Sequence, residues 1–220
     1  MRKKTIIFDM DGVIIDSEPL WQQAQDESLS VYGIHVTPEE CERYTMGKRV
    51  DAIANTWCEL YQLKINSEVL EESILRNLYG LILREGKANP GLYELLDFLE
   101  GRGYQIGLAT SSNRIVIEAV FDKLRLWDYF KVICSAEDEK LGKPSPDVYI
   151  TAAKKLGVEP NKCLVIEDSL NGLIAAKAAL METYLVSPQC ENQKFNMADK
   201  NFTNLYGVFG ELSCIDYEIV

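Results

Sequence analysis

Residues 5–12 read Thr-Ile-Ile-Phe-Asp-Met-Asp-Gly, an apolar run followed by two closely spaced carboxylates. The apolar run is typical of a short buried β-strand. Because side chains alternate faces along a strand, Asp9 and Asp11 can project to the same side. Two crowded carboxylates persist if a cation holds them or if one keeps its proton. One can then act as a nucleophile while the other transfers protons. The alternative is a plain strand-to-turn junction, since Asp-Gly is a common turn dipeptide.

The composition allows one large domain, or one domain with an insert, and argues against several functional classes. The chain has 220 residues, a 47% hydrophobic share and a formal net charge of -11. So acidic a chain is a poor partner for nucleic acid, and any site for an anionic substrate must be locally positive. The single histidine, His35, argues against a histidine-dependent triad. Six cysteines without C-x-x-C spacing indicate reduced thiols.

Three basic residues follow Met1, but the apolar run after them is too short for a signal peptide. No apolar run approaches the length that spans a membrane. We therefore expect a cytoplasmic protein with no membrane or nucleic-acid partner, which acts on a small molecule as a monomer or weak dimer.

After residue 89, strand and helix patterns alternate along the chain. Strands are predicted at 104–110, 131–135, 163–167 and 183–186, and helices at about 91–101, 113–125, 146–156 and 170–180. This alternation predicts an α/β fold with a doubly wound, Rossmann-like parallel sheet. A last short strand is predicted at 202–205, and the residues after Ser213 carry no pattern that we can interpret.

Residues 17–88 show helical periodicity and no strand signal. Each of these helices could be ordinary core material, but a helical block that interrupts an α/β alternation indicates a separate cap. The predicted organisation is an α/β core formed by residues 1–16 and 89–220, with an inserted α-helical cap at 17–88.

Polar side chains follow three of the predicted strands, and a lysine precedes a predicted helix. The carboxyl ends of parallel strands meet at one edge of the sheet, which is where such sheets bind ligands. Taken singly, each residue has a structural explanation as a helix cap, a turn or a surface lysine. Together the acids need a hard cation, for which oxygen ligands favour Mg²⁺, and the lysine and hydroxyls make a pocket for a dianion. The candidates are Asp9, Asp11, Thr110, Ser111, Asn113, Lys143, Glu167 and Asp168.

In these motifs the chain resembles the haloacid dehalogenase superfamily, in its phosphatase branch. Four pieces match that family's motifs in order: Asp9-x-Asp11-Gly12, Thr110-Ser111, Gly142-Lys143-Pro144 and Glu167-Asp168-Ser169. The helical block is similar to the family's small α-helical cap. Two further stretches, at residues 16–21 and 167–172, are similar to bacterial phosphatases of 2-deoxyglucose 6-phosphate and hexitol phosphates.

The resemblance implies a magnesium-dependent phosphomonoester hydrolase for small phosphorylated sugars or polyols. It implies that Asp9 is the nucleophile, which forms an aspartyl-phosphate, and that Asp11 is the acid and base. The implied metal ligands are Asp9, Asp11, Asp168 and Glu167, and the implied phosphate-binding residues are Thr110, Ser111 and Lys143. The candidates for contact with the sugar are Glu18, Trp21, Arg49 and Asn113, although Trp21 fits equally well as cap core.

Four alternatives remain open at this stage. The related β-phosphoglucomutases carry a histidine where Trp21 stands, which argues against a phosphosugar mutase. A receiver-like domain that accepts a phosphoryl group without catalysis would be smaller and would have no cap. Dehalogenation needs no magnesium, so the acids Glu167 and Asp168 argue against it. Phosphonate hydrolysis would need a cap lysine, and Lys48 and Lys64 keep that alternative open.

Overall fold

The computed structural model describes residues 4–217 and contains one six-stranded parallel sheet. The strands lie in the order β3-β2-β1-β4-β5-β6. Their bounds are β1 Thr5–Phe8, β2 Gln105–Thr110, β3 Val132–Ser135, β4 Cys163–Glu167, β5 Glu182–Val186 and β6 Lys200–Phe202. This arrangement confirms the predicted α/β fold.

The central strands are buried on both faces, as expected for a parallel sheet covered by helices. Ile6, Ile7 and Phe8 of β1 are completely buried. Five helices accompany the strands of the core: α5 Leu92–Gly101, α6 Arg114–Leu124, α7 Asp147–Leu156, α8 Leu170–Ala178 and α9 Leu205–Tyr217. The first strand is thus fixed at the centre of the sheet by apolar packing above and below it.

Five helices lie between β1 and β2, and the first four lie in the predicted helical insert. These four are α1 Glu18–Ser30, α2 Pro38–Tyr44, α3 Val50–Leu60 and α4 Ser67–Glu85. Thr37 and Glu40 form a reciprocal capping box at the start of α2, and Asn66 caps α4. Helix α4 packs against both α1 and α3, and the completely buried Trp57 of α3 donates its indole N–H to Gln25 Oε1 of α1 at 2.8 Å. The exact limits of a cap at residues 17–88 remain a prediction.

The chain leaves the core and returns to it at adjacent points. Ile15 and Ala88 form an antiparallel bridge, and the amide N–H of Asn89 donates to the carbonyl of Ile14 at 2.9 Å. The Asn89 side chain donates to the carbonyl of Gly12 at 2.7 Å. These contacts hold the two connections beside the end of β1, so the helical insert begins close to Asp9 and Asp11.

The strand predicted at 202–205 is wrong in its bounds. Strand β6 ends at Phe202, and Leu205 begins α9. Leu205, Val208 and Leu212 are buried, with the spacing of one helix face. Residues 213–217 continue this helix, while 218–220 lie outside the described residues. In residues 4–217 there is no helix both long enough and apolar enough to cross a membrane.

Candidate active site

The register of the sheet brings the motif residues of β1, β2 and β4 to one edge. Phe8 pairs with Leu108 of β2 and with Ile166 of β4. The amide N–H of Asp9 donates to the carbonyl of Ile166 at 2.9 Å, so Glu167 stands level with Asp9. Thr110 ends β2 at the same edge. Residues separated by more than 150 positions in the chain are therefore neighbours here, as the rule for parallel sheets predicts.

Lys143 lies between two buried carboxylates. Its Nζ is 2.8 Å from Asp9 Oδ1 and 2.7 Å from Glu167 Oε1. The side chains of Lys143, Asp9 and Glu167 are 4%, 9% and 0% exposed. Burial opposes the charge on Lys143, but the two carboxylates outweigh it and raise the lysine pKa. Lys143 is therefore a fixed positive charge beside the predicted nucleophile.

Glu167 accepts hydrogen bonds on both of its oxygens. Oε1 also accepts from the hydroxyl of Tyr149 at 2.8 Å. Oε2 accepts from the amide N–H groups of Asp168 and Ser169, at 2.9 and 3.0 Å, and from the Ser169 hydroxyl at 3.0 Å. Burial alone would raise the pKa of Glu167, but Lys143 and these donors together lower it. Glu167 is therefore an ionised anchor for the loop that carries Asp168.

The geometry fits a divalent cation. Ligand oxygens of Asp9, Glu167 and Asp168 all lie within 4.8 Å of one another. Burial, with the charges of Glu167 and Asp9, raises the pKa of Asp168 well above its usual range. Burial also raises the pKa of Asp9 to about 7, against the opposing effect of Lys143. Three carboxylates that face one lysine leave negative charge unbalanced, which a hard cation with oxygen ligands would offset.

The residue after Asp11 has to be a glycine. Gly12 has a φ of +74°, in the left-handed region that glycine adopts without strain. A Cβ atom on Gly12 would lie 2.0 Å from Asp168 Oδ2. The backbone of the first motif and the carboxylate of the fourth are therefore in close approach, which brings the backbone of residues 11–12 up against the candidate metal site.

Asp11 is held at both oxygens. Ser17 and Trp21 donate to Oδ1, from Oγ at 2.6 Å and from Nε1 at 3.0 Å. Ser112 Oγ lies 2.6 Å from Oδ2. The predicted acid and base thus contacts both the helical insert and the loop that follows β2.

The loop after β2 presents hydroxyls and an amide side chain to the same cavity. Thr110 Oγ1 accepts from the amide N–H of Ser112 at 3.1 Å, and Ser135 Oγ donates to the carbonyl of Ser112 at 2.7 Å. Asn113 stands at the N-cap position of α6 but makes no side-chain capping bond. Ser111 and Asn113 both line the cavity. Two hydrogen bonds thus shape the loop, and Ser111 and Asn113 present polar side chains to the cavity, while the Arg114 N–H at the start of α6 donates to Glu137 Oε2 at 2.9 Å.

A cavity of about 140 Å³, which opens toward solvent, lies between the cap and the core. Its core-side lining includes Asp9, Asp11, Thr110, Ser111, Lys143 and Asp168. Its cap-side lining includes Glu18, Trp21, Gln25, Met46, Lys48, Val50 and Ile53.

The structure places the candidate sugar contacts in two different settings, at the cavity and at the junction of cap and core. Glu18 and Trp21 face the cavity. Burial raises the pKa of Glu18, although a hydrogen bond from Gln22 opposes the shift. Arg49 instead reaches from the cap to the core, where Nη1 donates to the carbonyl of Ala136 at 3.2 Å. Its predicted contact with substrate remains a prediction.

Several contacts of the site were not predicted from the sequence. Ser17, Ser112 and Tyr149 each contact a predicted catalytic or anchoring carboxylate. Ser17 has the sequence signature of a helix N-cap, and Tyr149 lies on the buried stripe of α7. Their partners lie on other elements, so only the tertiary structure reveals these contacts.

Comparisons with known proteins agree with this geometry. A family model described as haloacid dehalogenase-like hydrolase matches residues 3–179. Hexitol phosphatase B of Escherichia coli (strain K12) is 36% identical over 203 residues, which cover 90% of this chain and 91% of that protein. The phosphorylated carbohydrates phosphatase of Thermotoga maritima is 32% identical over 179 residues, 81% of this chain and 82% of its own.

A solved structure shows the same fold. CbbY from Rhodobacter sphaeroides, crystallised in complex with phosphate, superposes with a TM-score of 0.83 at 23% identity, over 93% of this chain and 95% of its own. The family match spans the Asp9 motif, the loop after β2, Lys143 and the Glu167-Asp168 turn. With the family model and the two sequence relatives, these findings confirm the predicted family, and this chain belongs to the haloacid dehalogenase-like hydrolases.

Proposed function

We propose that this enzyme is a magnesium-dependent phosphatase that hydrolyses phosphorylated sugars or hexitols through an aspartyl-phosphate at Asp9. The observation that carries the proposal is the burial of Asp9 against Lys143, with Asp11 two residues away in the same cavity. The names of the two sequence relatives support the choice of a phosphorylated carbohydrate as substrate.

The substrate phosphate would bind where the loop after β2 meets Lys143. This chain carries a net charge of -11, so a dianion needs a locally positive pocket. Lys143 supplies a buried charge, and the hydroxyls of Thr110 and Ser111 supply hydrogen bonds. These donors would stabilise the charge that develops on the transferring phosphoryl oxygens.

In the first step the carboxylate of Asp9 forms a bond to phosphorus while the bond from phosphorus to the sugar oxygen breaks. Asp11 gives its proton to that departing oxygen. In the second step Asp11 takes a proton from water, the resulting hydroxide attacks phosphorus, and the Asp9–phosphorus bond breaks. The products are the free sugar or hexitol and inorganic phosphate, and Asp9 and Asp11 return to their starting states.

The metal requirement follows from the charge balance of the site. Asp9, Asp168 and the main-chain carbonyl of Asp11 would hold Mg²⁺, while Glu167, occupied by five donors, would act on the site by fixing Lys143 and the Asp168 loop. When bound, Mg²⁺ supplies positive charge that lowers the repulsion between the Asp9 carboxylate and the phosphate.

The cap would enclose the sugar part of the substrate. The aliphatic side chains of Met46, Val50 and Ile53 face the cavity beside the polar Glu18 and Gln25. Such a mixed lining suits a polyol, which offers hydroxyls and C–H surface together. The enclosure would exclude bulk water around the reacting phosphate.

The test is a screen for inorganic phosphate release, with and without Mg²⁺, over hexitol phosphates, sugar phosphates and nucleotides. We expect the wild-type protein to prefer hexitol or sugar phosphates and the Asp9→Asn variant to release none. Asp97→Asn is the matched control, because Asp97 lies on α5 and accepts from Tyr129 at 2.7 Å, away from the cavity. No phosphate release by the wild type from any substrate would contradict the proposal and favour a phospho-accepting domain without turnover.

A further inference from the structure

The first helix of the cap begins with a serine whose side chain does not cap the helix. Ser17 occupies the N-cap position of α1, where serine normally accepts from the N–H of the second or third helical residue. Its side chain makes no such bond, and its hydroxyl instead donates to Asp11 Oδ1 at 2.6 Å. Ser17 is 1% exposed, so this is a buried and directed contact.

Trp21 repeats the contact one helical turn later. Residues four apart lie on the same face of a helix, and the amide N–H of Trp21 bonds to the carbonyl of Ser17 at 2.9 Å. The Trp21 indole N–H reaches the same Asp11 oxygen at 3.0 Å. One face of α1 thus directs two donors at a single oxygen atom.

The two oxygens of Asp11 differ in what their neighbours can do. An indole N–H donates and never accepts, whereas a serine hydroxyl can do either. Oδ1 faces the donor Trp21, and Oδ2 faces the hydroxyl of Ser112 at 2.6 Å. A proton on Oδ2 is compatible with this arrangement, because Ser112 can then accept instead of donate.

We propose that Trp21 is a positioning residue: with Ser17 it holds Oδ1 of Asp11 as an acceptor and leaves Oδ2 as the oxygen that carries the transferred proton. This inference rests on the proposed phosphatase function, because it assigns the atom through which Asp11 serves the leaving group. It also gives α1 a second role, since the helix that borders the sugar also sets the orientation of the acid and base.

If this inference is right, the effect of removing Trp21 or Ser17 depends on the leaving group of the substrate. A sugar or hexitol oxygen must receive a proton as it leaves, whereas p-nitrophenolate leaves readily without one. Misorientation of Asp11 should therefore lower kcat/KM, which covers the steps up to departure of the leaving group, for sugar phosphates and spare it for p-nitrophenyl phosphate. Hydrolysis of the aspartyl-phosphate, which also uses Asp11, is common to both substrates and would slow equally for both. A general distortion of the cavity would instead lower kcat/KM for both substrates.

The variant Trp21→Phe keeps the aromatic ring and removes the N–H donor, and Ser17→Ala removes the other donor. For both variants we expect kcat/KM on a hexitol or sugar phosphate to fall by about 10-fold or more, and kcat/KM on p-nitrophenyl phosphate to change by less than about twofold. The control is Trp127→Phe, because the Trp127 indole also donates to an aspartate, Asp122 Oδ1 at 2.7 Å, away from the cavity. It should leave both substrates at wild-type rates.

Equal losses of kcat/KM on the two substrates, or no loss on either, in both Trp21→Phe and Ser17→Ala would overturn the inference. The wild-type rates separate this result from a failure of the proposed function. If the wild type releases phosphate from both substrates with Mg²⁺ and the variants show no selectivity, only the role of Trp21 is lost. If the wild type releases none, the phosphatase assignment fails as well. Thermal unfolding of each variant identifies any loss that arises from misfolding.

Discussion

Lys143 Nζ lies 2.8 Å from Asp9 Oδ1, and both side chains are more than nine-tenths buried. A buried ion pair is a weak source of net stability, because desolvation offsets much of the attraction. Its value at this site is functional, since it places a positive charge where a phosphate would bind. Glu167, which contacts the same ammonium at 2.7 Å, keeps that charge in position.

Removal of Lys143 tests its assigned role. We expect Lys143→Ala to lower kcat/KM for a phosphorylated sugar by about 10²-fold or more, as the loss of one charge-stabilising donor does. Steady-state phosphate release measures the effect. Lys140→Ala removes an exposed lysine three residues away and should behave as wild type. A Lys143→Ala variant within about threefold of wild type would show that this charge does not act on the phosphate.

The Tyr149 hydroxyl contributes through Glu167. Tyr149→Phe keeps the ring, which packs 4.9 Å from Lys143 Nζ, and removes the hydrogen bond to Glu167 Oε1. We expect a loss of about 1 kcal/mol or more in the free energy of unfolding, measured by urea denaturation, because a buried acceptor loses one partner. Tyr93→Phe removes a hydroxyl that bonds to the carbonyl of Leu124 in a partly exposed place and should cost less. An equal or larger effect at Tyr93 would contradict the anchoring role of Glu167.

Gly172 is required by the position of the Glu167 carboxylate. A Cβ atom at residue 172 would lie 1.6 Å from Glu167 Oε1 and 2.3 Å from Oε2. Gly172→Ala should therefore displace the anchor, lower activity severely and destabilise the fold by about 1–3 kcal/mol. Gly210→Ala, on α9 with nothing within 4 Å of the added atom, should instead be neutral or stabilise by up to about 1 kcal/mol. Wild-type activity in Gly172→Ala would show that Glu167 can move freely.

Magnesium should stabilise the fold as well as support turnover. At about 100 times its dissociation constant, a ligand that binds only the folded state adds about 2.7 kcal/mol of stability. We therefore expect Mg²⁺ to raise the thermal unfolding midpoint of the wild type and to have little effect on Asp168→Asn. Asp199→Asn, on the far side of β5 beside Lys177, is the control that should keep the response. A full magnesium response in Asp168→Asn would place the ion elsewhere.

The sequence was sufficient for the parts of the fold that depend on local patterns. Buried runs such as Ile6-Ile7-Phe8 predict central parallel strands. Because the carboxyl ends of such strands meet at one edge of the sheet, the same pattern predicts that Asp9 and Glu167 are neighbours, as the structure shows. The helical insert was predictable because residues 17–88 show helical periodicity and no strand pattern. The error at residues 202–205 arose because Leu205 was assigned to a strand, although its spacing to Val208 and Leu212 is that of a helix.

What the sequence could not predict is the choice of partner for each polar side chain. Ser17 has the type and place of a helix cap, yet its hydroxyl is used on Asp11. Trp21 fits equally well as cap core or as a sugar contact, and in the structure it borders the cavity and donates to Asp11. Arg49 precedes α3 and fits equally well as an anion contact or a helix start, and its guanidinium bonds to a carbonyl of the core. Such choices depend on distances between elements that no local pattern encodes.

The central claim is that Asp9 accepts the phosphoryl group. The most direct measurement is to mix the enzyme with Mg²⁺ and a hexitol or sugar phosphate that it hydrolyses, quench in acid within the first turnover, and map the peptides by mass spectrometry. We predict one phosphoryl group on the peptide that contains residues 5–12, on Asp9, and none in Asp9→Asn. A phosphoryl group on any other residue, or sustained phosphate release by Asp9→Asn, would contradict the account.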